Sequence, residues 1–368
     1  MNSKKILCVI DDLGSGGAQR QLVNIALGLK ERGHTIQFVT YFKKTFYYQL
    51  LTENEVKITQ IDEQNPIKRL FKFRKFIRSN QFDIVISFLG VPSLLASFAA
   101  FPSKKFKLLV GERSCNPAMK NSLKSRLLRF FYFKADYIVA NSHANINMVK
   151  YMLPWINKEK YKVIYNVIDL EIYKPINNFE FRQNNKFKIV IPASYRRLKN
   201  LLGLIEAVNL LTDDQKSVLQ IDWYGDKNKK NQPDSILQEA EALISKYQLE
   251  SVINLNDVTH QINEKLSGAD AVGLFSFFEG LPNAVCEGMA SGKPIVATSV
   301  SDVPQLVINN QNGFLCQAND IKSISNSLKQ LLELTNTELT QMGIVSRNEA
   351  ENLFEKAKII NQYESLFK

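Results

Sequence analysis

Ser276-Phe277-Phe278-Glu279-Gly280-Leu281-Pro282-Asn283-Ala284-Val285-Cys286-Glu287-Gly288-Met289-Ala290, preceded by the apolar run Ala271-Val272-Gly273-Leu274-Phe275, is the stretch on which the fold turns. The apolar run reads as a short buried strand. Pro282 suits the first helical position, where its missing N–H costs nothing, and Gly292 suits the stop. The local geometry is therefore strand, tight loop and short helix, with Glu279 in the loop and Glu287 on the helix. A helix start offers unpaired N–H groups and a positive dipole end, a seat for a diphosphate. Carboxylates on either side can accept hydrogen bonds from sugar hydroxyls. The spacing by itself is equally met by one ordinary surface Glu and one helical Glu.

The stretch resembles the E-x7-E signature of retaining glycosyltransferase family 4, reading from Glu279 to Glu287. Phe278-Glu279-Gly280-Leu281-Pro282-Asn283 and Glu287-Gly288-Met289-Ala290-Ser291-Gly292-Lys293-Pro294-Ile295-Val296-Ala297 both follow the family pattern. The resemblance implies an α/β protein of GT-B fold, two facing Rossmann-like domains with the donor nucleotide bound mainly to the C-terminal one. It places Glu279 on the transferred sugar and the Gly280 and Leu281 backbone on sugar and phosphates. Asn283 lies in the same donor-binding turn, and Glu287 falls to the ribose.

Bulk properties agree with two domains. The chain has 368 residues, long for one hydrophobic core. Its net charge of +11 is uneven: residues 1–176 hold 28 Lys and Arg against 13 Asp and Glu, whereas residues 177–368 hold 19 against 23. The basic half points to an anionic surface, membrane phospholipid or nucleic acid. Cys8, Cys115, Cys286 and Cys316 are far apart and read as reduced thiols of a cytosolic protein. His34, His143 and His260 lack metal-ligand spacing, so no metal site is expected. The N-terminus does not read as a signal peptide. Residues 84–103 carry no charge over a span-like length, but Gly90, Pro92 and Pro102 cut them into a strand (84–88) and a helix (92–101) with Leu94, Leu95 and Phe98 inward.

The chain opens as a Rossmann-like unit: an apolar strand (5–10), the loop Asp11-Asp12-Leu13-Gly14-Ser15-Gly16-Gly17, a helix with Leu22, Val23, Ala26 and Leu29 on one face, Gly33, and a second strand (35–40). Gln19 stands where the dinucleotide fingerprint needs its third Gly, which argues against a redox enzyme. Gly16 and Gly17 instead resemble the family's N-terminal double-Gly loop, whose backbone faces donor phosphates and acceptor. A plain tight βα turn is the alternative.

Two stretches, 68–78 and 120–134, interleave Lys and Arg with Leu, Ile and Phe and contain no acidic residue. Such a helix suits an anionic bilayer surface, at about 1 kcal/mol per cation; the alternative is a solvated cationic helix whose apolar side is core. No nucleic-acid module accompanies them. Glu112 and Arg113, after the strand 106–110, resemble an acceptor-side variant of polysaccharide-assembling members, in the run Glu112-Arg113-Ser114-x-x-Pro117. A structural salt bridge for Arg113 is equally open. The His that many members carry nearby is absent.

Val163-Ile164-Tyr165-Asn166-Val167-Ile168-Asp169 resembles the family's approach to the linker, which Pro175, Asn177 and Asn178 mark. Ala193-Ser194-Tyr195-Arg196-Arg197-Leu198-Lys199-Asn200 resembles the diphosphate-binding loop, with Ser194 at the usual Arg position. Lys199 with either Arg196 or Arg197 would stabilise the charge that grows on the leaving diphosphate. Gly225 closes the strand 221–226 as in the family, and residues 254–258 are expected to form the loop beside the base. Residues 347–367 read as one amphipathic helix that, by resemblance, crosses back to the N-terminal domain.

The expected layout is a basic, membrane-facing acceptor domain (1–176), a donor domain (177–345) and the returning helix (346–368). The expected function is transfer of a hexose or N-acetylhexosamine, with retention, from a nucleoside diphosphate sugar, UDP-linked by expectation, to a lipid-linked saccharide in surface polysaccharide assembly. The protein would work without a metal or other cofactor, on the cytoplasmic face of the membrane and without nucleic acid. A non-catalytic nucleotide-sugar-binding subunit and a sugar-nucleotide epimerase or phosphorylase of similar architecture stay open as alternatives.

Overall fold

The computed structural model describes residues 2–113, 117–229 and 235–368, in two compact units. The first comprises the chain up to Val167 together with Lys356–Lys368; the second is Ile168–Glu355. The expected boundaries shift accordingly: the second unit opens at residue 168 rather than 177, and the returning segment starts at 356 rather than 346.

The first unit is built on seven parallel strands, β1 (Lys5–Val9), β2 (Thr35–Thr40), β3 (Lys57–Gln60), β4 (Ile84–Phe88), β5 (Lys107–Glu112), β6 (Tyr137–Ala140) and β7 (Tyr161–Val163). Their order is β3-β2-β1-β4-β5-β6-β7. Parallel strands need crossovers and are covered on both faces, which is why β1 and β4 are apolar or small at nearly every position. One layer packs Leu7, Val9, Phe73, Val85 and Tyr132; the other packs Ile6, Cys8, Leu22, Phe38 and Tyr363.

The first helix runs Gly17–Glu31, buries Leu22, Val23, Ala26 and Leu29, and is followed by Gly33 at φ +85°, a left-handed position open to glycine. After β4 the helix is Gly90–Ala99 rather than 92–101: Leu95 is buried, while Leu94 and Phe98 are half-buried and Phe101 is exposed. Among the described residues no helix is long and apolar enough to cross a membrane.

The second unit holds six parallel strands, β8 (Phe187–Pro192), β9 (Leu219–Tyr224), β10 (Ile253–Asn256), β11 (Ala271–Leu274), β12 (Ile295–Thr298) and β13 (Gly313–Cys316), in the order β10-β9-β8-β11-β12-β13. Residues 254–256, expected in a loop, complete β10 before the chain turns. Both sheets reverse their winding once, between β1 and β4 and between β8 and β11. A sheet of this kind opens a crevice at that reversal, beyond the carboxyl ends of the strands.

The single C-terminal helix expected over 347–367 is two helices, Asn336–Phe354 and Lys356–Ser365. The break falls at Glu355, whose φ of −55° and ψ of 129° leave the helical region. Phe354 gives its carbonyl to the Ile168 N–H at 3.3 Å. The shorter helix returns to the first unit, burying Ile359, Ile360 and Tyr363. It packs against the helix Gly17–Glu31, where a Cβ on Gly28 would come within 2.7 Å of Ile360.

Candidate active site

The loop after β8 and the loop after β11 flank the reversal in the second sheet, and a backbone bond joins them: the Phe277 N–H donates to the Leu198 carbonyl at 2.9 Å. Through this contact Lys199 and Glu279, 80 positions apart in the chain, become neighbours. Lys199 Nζ lies 2.5 Å from Glu279 Oε1, and Ser276 Oγ donates to the same oxygen at 2.6 Å. Ser301 accepts from the Glu279 N–H at 3.2 Å and donates back to its carbonyl, holding the loop in place. Thr298 Oγ1 donates to the Ser276 carbonyl at 2.7 Å. The Glu279–Lys199 pair is partly exposed, at 13% and 21% of the side chains. A partly exposed carboxylate beside an ammonium, at a sheet reversal, can bind a polyhydroxylated ligand and screen an anion.

The helix that carries Glu287 is Asn283–Ala290, with Pro282 in the capping position just outside it, one residue earlier than the expected helix start allows. Gly292, at φ +67°, terminates it as expected. Leu281 and Glu287 are buried and Asn283 is half-buried. Gly225 sits between strand ends: a Cβ there would fall 2.5 Å from the Ala193 carbonyl oxygen, so close packing alone requires glycine. Tyr195 is packed beneath the loop, donating to the Asn256 carbonyl at 2.6 Å, and burial pushes its hydroxyl pKa up.

The two candidate arginines part company. Arg197 pairs with Glu239 at 2.6 Å, with both side chains more than half exposed. Arg196 forms a short antiparallel bridge with Ser235.

In the first unit, Gly16 caps the helix Gly17–Glu31. A Cβ on Gly16 would strike Gln19 Oε1 at 2.2 Å. Gln19 folds back to donate to Asp11 and Asp12 at 3.1 and 3.3 Å. The atom met is the end of a flexible side chain, so a Cβ here would displace the Gln19 amide from Asp11 and Asp12 rather than clash with the backbone of the turn. Burial raises the Asp11 carboxyl above its ordinary pKa.

Glu112 and Arg113 are committed inside the first unit. Both Glu112 oxygens are taken by Arg129, Nε at 2.9 Å and Nη2 at 2.8 Å, and Tyr132 Oη donates at 2.7 Å. Arg113 stacks 3.7 Å from the Phe88 ring centroid and donates to Asn166 at 3.2 Å and Tyr363 at 2.6 Å. Its burial lowers its pKa from the ordinary guanidinium value. The structural role that the sequence left open beside the acceptor-side one accounts for Glu112 and for the Nη1 and Nη2 atoms of Arg113, whereas the buried Arg113 Nε has no hydrogen-bond partner. Ser114 and Cys115 lie outside the described residues; Cys8, Cys286 and Cys316 are buried free thiols.

Sequence reasoning missed Ser276 and Ser301. Ser276 opens the decisive stretch three residues before Glu279, the one signal available; Ser301 approaches only through the packing of β11 on β12.

Two family models match the chain: Glycosyltransferase Family 4 over residues 15–172 and Glycosyl transferases group 1 over residues 174–348. The chain is 24% identical to N-acetyl-alpha-D-glucosaminyl L-malate synthase of Bacillus anthracis, covering 98% of itself and 95% of that protein. To the UDP-Gal:alpha-D-GlcNAc-diphosphoundecaprenol alpha-1,3-galactosyltransferase of Escherichia coli it is 23% identical, over 94% of itself and 88% of the relative. Among solved structures, that of Anabaena Alr3699/HepE in complex with UDP superposes with a TM-score of 0.84 at 19% identity, covering 98% of each chain. That likeness establishes the two-domain GT-B architecture.

Proposed function

Because the chain belongs to the glycosyltransferases of GT-B fold and family 4 type, we propose that it transfers a hexose or N-acetylhexosamine from UDP to a lipid-linked saccharide, with retention, in surface polysaccharide assembly. The observation that carries this reading is the Lys199–Glu279–Ser276 cluster at the sheet reversal. In it Glu279 orients the sugar, and Gly280 and Leu281 line the turn beneath it. Glu287 takes the ribose. Lys199 and Arg196 meet the diphosphate, whose negative charge grows as the glycosidic bond breaks. With that charge met by side chains, no step is routed through a metal. The UDP donor is supported by the UDP in the Anabaena complex and by the UDP-Gal in the name of the Escherichia coli relative.

A lipid-linked acceptor is supported by the diphosphoundecaprenol of that relative's name and by one surface of the first unit. The basic stretches form the helices Pro66–Ser79 and Leu123–Arg129 and the turn Phe130–Lys134. Edge-on ring contacts run from Phe71 to Phe98 (5.7 Å), to Phe131 (5.6 Å), to Phe130 (5.2 Å) and join the two stretches into one face. Ile67, Phe71, Leu123, Leu127 and Phe130 are exposed there among Lys68, Lys72, Lys75, Lys124 and Arg126. Exposed apolar side chains amid cations are the pattern of a surface that lies on anionic lipid.

The donor is tested by thermal shift with UDP, GDP, ADP, CMP and dTDP on the wild type and Glu287→Ala. A ligand at about 100 times its Kd stabilises by roughly 2.7 kcal/mol. UDP alone should raise the wild-type Tm, and the variant should lose the response, since a charge-assisted hydrogen bond is worth about 1.5–3 kcal/mol. A response to no nucleotide would favour a non-catalytic subunit. The surface is tested by flotation with anionic vesicles at low salt, where Phe71→Glu with Leu127→Glu should abolish binding.

A further inference from the structure

The second unit holds a cavity remote from Glu279. Lys199 and Glu279 follow the carboxyl ends of β8 and β11, whereas Lys293 stands just before β12, at the opposite edge of the same parallel sheet. The cavity measures about 510 Å³, within the range of small-molecule pockets. Pro175, Ile176, Phe179 and Phe181, from the segment preceding β8, and Ile344, from the helix Asn336–Phe354, line it together with Lys293. Phe179 and Phe181 meet edge to face at 5.1 Å.

Lys293 is only 2% exposed, and its Nζ sits 3.2 Å from the Phe179 ring centroid. Among the described residues, no acceptor within hydrogen-bond reach and no carboxylate within ion-pair reach serves that Nζ. The charged groups around it are Asp270 and Arg347, and both are committed. Asp270 accepts the N–H groups of Arg182 (2.8 Å) and Lys188 (2.6 Å). Arg347 donates to the carbonyls of Leu170, Tyr173 and Ala290 at 3.3, 2.9 and 2.7 Å. An ammonium has three donors, and a ring face offsets only part of the cost of burying it. The arrangement lacks an acceptor, and the cavity has room to admit one.

We propose that this cavity binds a small monoanion carrying a flat apolar body, the anionic oxygens accepting from Lys293 and the body lying against Phe179, Phe181 and Ile344. Burial lowers the Lys293 amine to about 7. The protonated amine is the form that holds an anion. Binding is therefore fullest below that value and weakens as pH rises through it, and the bound anion draws a proton onto the amine.

Benzoate is the probe, with inorganic phosphate as the anion lacking an apolar body and benzyl alcohol as the body lacking charge. At about pH 6, below the ordinary range of free lysine by several units, benzoate at millimolar concentration should raise the Tm of the full chain, and each control should do less. The shift should fade by about pH 8.5 and vanish in Lys293→Met, while the response to UDP is unchanged in both proteins. Should Lys293→Met fail to fold, Ile344→Trp, at a position 48% exposed, closes the cavity from outside and should remove the benzoate response alone. A benzoate shift that survives in either folded variant, or no shift at all beside a normal UDP response, overturns the assignment. A lost UDP response with an intact benzoate shift would count against the donor reading and leave this one standing.

Discussion

Glu112 and Glu279 both sit at or just beyond the carboxyl end of a parallel strand, and both are paired with a cation, yet their surroundings differ in kind. Glu112 is 5% exposed, gripped by two Arg129 nitrogens and by Tyr132. Glu279 shares one oxygen between Lys199 and Ser276 and keeps part of its surface open. A buried, saturated ion pair is costly to break and has no atom left for a ligand. A pair that keeps 13% and 21% of its side chains exposed still has a path to solvent by which it can exchange its partner for substrate. The difference teaches that a carboxylate at a strand end is a site only when the fold leaves it an oxygen to offer.

The sharpest way to break this comparison is to exchange the consequences of the two carboxylates. Glu279→Gln should lower turnover of UDP-sugar by about 100- to 1,000-fold, the cost of removing one positioned electrostatic group. Unchanged turnover would remove Glu279 from the chemistry. Arg129→Met leaves the Glu112 charge buried without its partner and should destabilise by roughly 3–5 kcal/mol in urea unfolding. A loss under about 1 kcal/mol would show that Glu112 finds water or another donor. The comparison is sharpened further by the two arginines: Arg196→Ala should reduce kcat/KM about tenfold, the equivalent of 1.4 kcal/mol. Arg197→Ala, which frees only the exposed Glu239, should alter both stability and turnover least, within about 0.5 kcal/mol. A larger effect from Arg197 would mean that it leaves Glu239 for the diphosphate when donor binds.

Much of this was legible in the chain. The apolar runs that became β1, β4 and β11 read as strands from residues adjacent in the chain, a strictly local signal. Glycines at 33 and 292 marked helix ends for the same reason, since the left-handed turn is a property of one residue. The last helix was misread as continuous because its apolar spacing runs on past Glu355; the break is set by packing, with Phe354 tied to Ile168 in one unit and Tyr363 to Arg113 in the other.

The sequence by itself determined a strand–loop–helix turn with Glu279 in its loop and Glu287 on its helix, while the two doubly wound sheets were implied by the resemblance to a known family. Periodicity and turn chemistry act over a few residues and need no partner. Only the tertiary structure decided that Lys199 meets Glu279, that Arg129 silences Glu112, and that Lys293 lies buried over Phe179. Each of those outcomes joins residues 17 to 114 positions apart in the chain. Desolvation and ion pairing depend on what surrounds a charge in space, and sequence spacing carries no record of that.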